Sequence, residues 1–392
     1  MRIKRLITCI LFIQALFLCS LVSAAQKTTT LSNYKFSEFV SNPEGEFDSI
    51  DFNGAPYFVE IISEDNKFDL VTTTLDSKYK LIKSTVSLTD LLNLTTENVD
   101  DYELQVKANA KQIFLIIQGN KHDGSRFGYL LNSTDGKSWQ LNQSFPMNGI
   151  FTKNNSDDIW INDAINNSIV VTYSSYDLRN NEIAYFSHDN GVTWNNFEVP
   201  QSTYIAGGPF IVNNLLFLHL NSVNSSVHKS GLYYTDGKSE LVESDMSQLK
   251  GYRFNKTKAA KYFEYIDSIQ VINNKLVAQV EYINNNDEND YSNLLWVSND
   301  NGKTWSVLAE LPESNIYQVK FVNNAYHIIT FDNKFNSFYY RLSESELSKS
   351  SDHSMAKPTL KFDKAMSGIM NITAKEVVFL LANMDGVSVV KF

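Results

Sequence analysis

Beyond residue 25 the chain has no cysteine: Cys9 and Cys19 are its only two. A disulfide framework, a Cys–His nucleophile, a cysteine zinc site and thiol redox chemistry are thereby excluded from the remainder. Arginine is almost as scarce, with only Arg126, Arg179, Arg253 and Arg341 after residue 25. The six histidines form no H-x-x-x-H pair and no H-E-x-x-H helix, so no metal site is expected. No G-x-G-x-x-G turn or P-loop stands between a strand and a helix, and no cofactor is expected. Positive charge is deficient too: setting aside Arg2, Lys4 and Arg5, 31 basic residues face 44 acidic ones, a net charge of -13. Nucleic acid and anionic membrane surfaces want the opposite sign. No stretch after residue 25 approaches the roughly 20 apolar residues of a membrane-spanning helix.

The first 25 residues, MRIKRLITCILFIQALFLCSLVSAA, combine three basic residues, an apolar run and a small-residue exit. That order is expected of a secretory signal peptide cleaved after Ala24 or Ala25. Residues 26–392 are then expected as one exported domain, secreted or periplasmic, and monomeric.

What the chain does have is a repeat. A turn rich in Asn or Gly followed by an apolar or alternating strand recurs as FNGAPYFVEI, NAKQIFLII, NNSIVVTYS, NNLLFLHLN, NNKLVAQVE, NNAYHIITF and AKEVVFLLA. A short strand-like run precedes each, such as YELQVKA or DIWINDA, and an aromatic strand follows many, such as RFGYLLNS or NLLWVSND. Short strands at roughly 50-residue spacing are the mark of sheets repeated around an axis. The fold expected is therefore all-β: a seven-bladed β-propeller of four-stranded antiparallel blades, with six blades as the alternative. The last unit supplies only three strands, so a strand at about 33–40 is expected to complete it and hide an open edge.

Two turns are sharper. Residues 187–194 read Ser-His-Asp-Asn-Gly-Val-Thr-Trp and residues 298–305 read Ser-Asn-Asp-Asn-Gly-Lys-Thr-Trp. Both match S-x-D-x-G-x-T-W through Ser187, Asp189, Gly191, Thr193, Trp194 and Ser298, Asp300, Gly302, Thr304, Trp305. Weaker copies stand at 132–139, with Asp135, Gly136 and Trp139, and at 233–240, which lacks the tryptophan. The chain resembles the Asp-box (BNR repeat) propellers, a sialidase-like superfamily. Physically these residues are scaffold: the aspartate closes its own turn, the glycine takes positive φ, and Trp194 and Trp305 are expected to be buried between strands.

With the boxes between third and fourth strands, the opposite face gathers the other loops. Arg126, Arg179 and Arg253 fall there and are expected to bind a carboxylate or polyhydroxylated ligand. The sialidases that the chain resembles use arginines, a tyrosine and acids in this way; Asp177, Glu182, Tyr262 and Glu264 are the candidates here. The Phe/Tyr-Arg-Ile-Pro segment of that family is missing. The reading is an exported ligand-binding or scaffolding module for carbohydrate or protein. A sialidase-like glycoside hydrolase acting on acidic glycans and an envelope assembly factor are the competing classes.

Overall fold

The computed structural model describes residues 29–41, 46–53, 55–76, 78, 80–151, 157–175, 182–200, 203–222, 231–238, 240–244, 262–272, 275–284, 287–300, 302–312, 315–331, 336–343, 358–362, 367–372, 377–383 and 386–391. Antiparallel strands dominate, joined by tight turns in which Asn takes the left-handed conformation, as at Asn66, Asn166, Asn214 and Asn324. Asn tolerates that region because its short amide can bond locally, which is why the repeat begins with Asn.

Six sheets have four strands. In chain order, the first sheet holds Phe47–Phe52, Ala55–Glu64, Lys67–Leu75 and Leu81–Ser87. The third holds Asp157–Ile165, Ser168–Ser175, Ile183–Ser187 and Asn195–Glu198. The fourth holds Thr203–Val212, Leu215–Ser222, Gly231–Thr235 and Val242–Glu243, and the fifth Tyr262–Ile272, Lys275–Asn284, Asp287–Ser298 and Ser306–Pro312. Asn315–Val322, Ala325–Phe331, Ser337–Ser343 and Leu360–Phe362 make the sixth. The remaining four-stranded sheet joins Ser367–Ile372, Val377–Asn383 and Gly386–Lys391 to Thr29–Tyr34.

The second sheet departs from the seven four-stranded units expected, because it has five strands: Val99–Ala108, Ile113–Lys121, Arg126–Ser133, Gln140–Leu141 and Gly149–Phe151. The last two share one edge of Arg126–Ser133. Leu141 pairs with Leu131 at one end, and Phe151 pairs with Arg126 at the other. Between them Leu130 bonds out of line, its N–H to Asn148 Oδ1 at 2.7 Å and its carbonyl from Asn142 N at 2.8 Å. The outer strand is thus one edge interrupted by a loop.

The N-terminal edge strand also lies earlier than the expected 33–40. Thr29–Tyr34 pairs antiparallel with Gly386–Lys391, whereas Phe36–Phe39 is a short helix. The helix turn carries Phe39 into a fully buried position, with its ring 4.7 Å from Phe58 and 5.6 Å from Tyr34. An extended chain would have carried these rings past that contact.

Apolar layers lie between successive sheets, since strands polar on neither face must be covered on both. Val59 and Leu70 of the first sheet meet Val106 and Leu115 of the second. Phe114 and Leu130 meet Ile159 and Val171, Val170 and Phe186 meet Leu216 and Leu218, and Phe217 meets Leu276 and Ala278. Val277 and Leu295 then meet Tyr326 and Ile328. First strands pack on first strands from the first sheet through to the fifth, and again between the sixth and seventh. No helix among the described residues is long and apolar enough to cross a membrane.

Candidate functional site

The turn between a sheet's third and fourth strands, here its outer turn, and the edge made by its first strand, here its inner edge, have different chemistry. At the outer turn of the third sheet, Asp189 Oδ1 accepts the N–H groups of Val192 and Thr193 at 3.1 and 2.8 Å, and Oδ2 accepts Thr193 Oγ1 at 2.6 Å. Ser187 Oγ donates to Asp189 Oδ1 at 2.7 Å and accepts Gly191 N at 2.8 Å. The fifth sheet repeats this: Thr304 N and Oγ1 donate to Asp300 at 2.8 and 2.6 Å, and Ser298 Oγ bridges Asp300 and Gly302 N at 2.8 and 2.9 Å. Those donors, the Thr304 hydroxyl foremost, hold the Asp300 carboxyl down to about 2. Burial works against Asp189, yet Thr193 and Ser187 still hold its carboxyl below the ordinary value. Both oxygens of each carboxylate are thus engaged by donors of its own turn.

The two tryptophans differ from expectation in one case. Trp305 is buried, 4% exposed, but Trp194 is only partly buried. Trp305 packs among Phe217, Leu276 and Trp296, whereas Trp194 leans on Phe145, 4.9 Å between ring centroids, in the loop that interrupts the second sheet. In the shorter copy, Asp135 accepts Lys137 N and Ser138 N, each at 2.8 Å, and Gly136 N donates to Ser133 Oγ at 2.8 Å. Trp139 is buried and its indole donates to Thr72 Oγ1 of the first sheet at 3.1 Å. The copy lacking tryptophan keeps the turn: Lys238 N donates to Asp236 at 2.9 Å.

Inner edges must satisfy backbone groups that have no further strand beside them. Side chains of the preceding sheet do this. Val106 N donates to Asp48 at 2.8 Å, Ile161 N to Gln105 at 2.7 Å, Ile159 N to Gln118 at 2.8 Å and Ile211 N to Asp163 at 3.2 Å. Burial pushes the Asp163 carboxyl up to about 7, against the Ile211 N–H and the charge of Lys107. Glu182, a catalytic candidate from sequence, serves the same purpose: its carboxylate accepts Ile205 N at 2.6 Å, and burial raises its pKa.

Arg126 opens the third strand of the second sheet rather than lying free in a loop. Its guanidinium donates to Asp158 at 2.6 Å and stands 3.9 Å from Glu103, which also accepts Gln118 Nε2 at 2.8 Å. Burial raises the Glu103 pKa, helped by the Asp158 charge and opposed by Arg126. Arg179, Arg253 and Asp177 lie outside the described residues, as do the side chains of Tyr262 and Glu264. Among the described residues, Arg126 meets two acids that the sequence did not single out.

Below this cluster, the inner edges of the second, third and fourth sheets line a cavity of about 270 Å³. Gln105, Lys107, Trp160, Asn162, Gly208 and Phe210 form it. Trp160 is 39% exposed there, the most exposed of the described tryptophans. Asn162 is fixed from both sides: its amide donates to Gly208 O at 2.8 Å, and its Oδ1 accepts Thr172 N at 3.0 Å. Alternation in YELQVKA and DIWINDA was the available signal, since Gln105 with Lys107 and Trp160 with Asn162 each share a strand face. A wider groove of about 810 Å³ lies on the turn side, between the outer turns of the second and third sheets. Among the described residues no cluster of three or more His, Cys, Asp or Glu is placed for a metal ion.

No family model matches the chain, and no curated protein matches it. Solved structures resemble it distantly. A lectin from Burkholderia pseudomallei is 9% identical over 89% of this chain and 95% of that one, with a TM-score of 0.47. An α-L-arabinofuranosidase from Fusarium graminearum is 10% identical over 93% and 98%, TM-score 0.43. The β-propeller domain of the Trilobed protease from Pyrococcus furiosus is 10% identical over 78% and 99%, TM-score 0.35.

Proposed function

We propose that the seven sheets close into a single Asp-box propeller, exported from the cell, that works as a ligand-binding or scaffolding module. The observation that carries this reading is the pairing of the two ends of the described chain, Thr29–Tyr34 with Gly386–Lys391, in a sheet whose first strand packs on that of the sixth. Stacked sheets joined end to end leave a ring whose inner edges and loop face are open to a ligand, while the box turns hold its rim. A non-catalytic role is favoured by how one catalytic candidate is used: Glu182 holds the Ile205 N–H.

Two measurements test this. Removing residues up to 34 should bare an edge and make the protein far more sensitive to limited proteolysis than the chain starting at residue 26. Equal resistance would mean the ring is not closed by this strand. The intact protein should leave a fluorogenic sialoside unhydrolysed; steady turnover that scales with enzyme concentration would overturn the binding-module reading in favour of a hydrolase.

A further inference from the structure

We infer that the cavity around Trp160 is a binding site for a neutral saccharide, an inference that rests on the ligand-binding reading above. Three features point to this chemistry. First, Trp160 keeps 39% of its surface exposed in a cavity wall rather than in the apolar layers that hold Trp139, Trp296 and Trp305. A large flat apolar ring with a polar edge suits the C–H face of a sugar. Second, the surrounding polar groups are side-chain amides and backbone, Gln105, Asn162 and Gly208, held in place by bonds to Ile161 N, Thr172 N and each other. Fixed donors and acceptors around an aromatic platform recognise hydroxyls without reorganising.

Third, the charge balance selects among sugars. Among the described residues Lys107 is the only charged one lining the cavity, and its field acts on both Asp163 and Asp48. Glu103 and Asp158 lie one alternation further along the same two strands, beside Arg126, and add negative charge on that side. An anionic glycan would meet repulsion there. A neutral ring meets none.

The experiment uses the chain from residue 26 onward. Neutral methyl glycosides of hexoses and pentoses, and in parallel sialic acid and glucuronate, are titrated while tryptophan emission is followed, with a glycan microarray to choose longer probes. A neutral glycoside should shift emission to the blue and protect Trp160 from quenching by acrylamide. Trp160→Ala should weaken that binding by about tenfold or more, with an unchanged circular-dichroism spectrum. Tyr204→Ala, at an exposed ring outside the cavity, should leave it within about twofold.

Binding of the acidic sugars only, lost in Lys107→Gln, would overturn the neutral class. Neutral binding that survives Trp160→Ala would place the site elsewhere and overturn this cavity. No response to any sugar would also overturn the inference, and the module reading would still stand or fall on the sialoside and proteolysis results.

Discussion

The outer turns of the third and fifth sheets are near-copies in sequence and in local hydrogen bonds, yet their tryptophans meet different surroundings. In each, the glycine carbonyl accepts the indole N–H at 3.1 Å and also a serine hydroxyl from the preceding sheet: Ser144 to Gly191 at 2.5 Å, Ser244 to Gly302 at 2.7 Å. What differs is the cover. Strands of the fourth and fifth sheets close over Trp305, while Trp194 has Phe145 and Met147 from the interrupting loop. A motif of eight residues fixes its own turn and aims its indole; the neighbouring sheet decides how much of that indole leaves water.

The comparison is sharpened first by truncating the two rings. Trp305→Ala should cost about 3–5 kcal/mol, the range for a fully buried large aromatic, and Trp194→Ala about 1–2 kcal/mol because part of its area is solvated already. Urea midpoints at matched m-values measure both, and equal losses would break the contrast. The glycines should reverse the order. Gly191 and Gly302 have φ of 78° and 84°, so alanine is strained at both. A Cβ at Gly191 would also meet Asn142 Nδ2 at 2.6 Å, against 3.4 Å to the nearest atom at Gly302. Gly191→Ala should cost about 2 kcal/mol and Gly302→Ala about 1 kcal/mol, read from the same midpoints.

Acid and base separate rim from inner edge, with smaller effects. Asp163 holds its proton up to about 7 in the folded chain, against an ordinary 3.8. Stability is therefore lost as pH rises from 3.8 through 7. Asp163→Asn, which keeps an oxygen for Ile211 N–H, should gain on the parent across that window and show no gain below it. Asp300 has the other sign. Its carboxyl is lowered from 3.8 to about 2, so its contribution is full above 3.8 and disappears as pH falls through 2. The midpoint difference between parent and Asp300→Asn should shrink toward zero over that acid range.

The repeat was legible because Asn-initiated turns and period-two strands are local properties, and the box turns because their hydrogen bonds lie within eight residues. The edges were less so. Whether 29–34 or 33–40 forms the last strand depends on Phe39 finding Phe58, a contact set by packing. The interrupted second sheet depends on Asn142 and Asn148 substituting for a strand at Leu130, which no local pattern announces. Glu182 is a catalytic candidate in sequence because the sialidase resemblance calls for an acid on that loop face; in the structure it completes the backbone of the next sheet. The cavity at Trp160 was missed for the same reason, since three inner edges more than forty residues apart build it.

The strand Thr29–Tyr34 has a consequence for the order of events in folding. Its hydrogen-bonding partner, Gly386–Lys391, is separated from it by the six other sheets, so the two cannot meet until all of the chain between them has been made. Joining ends so distant adds little entropy beyond closing a shorter loop, because the loop term grows only with the logarithm of length. The penalty is kinetic instead: six sheets can collapse locally while one edge waits, exposed, for a segment that arrives late. A chain delivered unfolded to its destination, with both ends free at once, would shorten that wait and lessen edge-to-edge association with its neighbours.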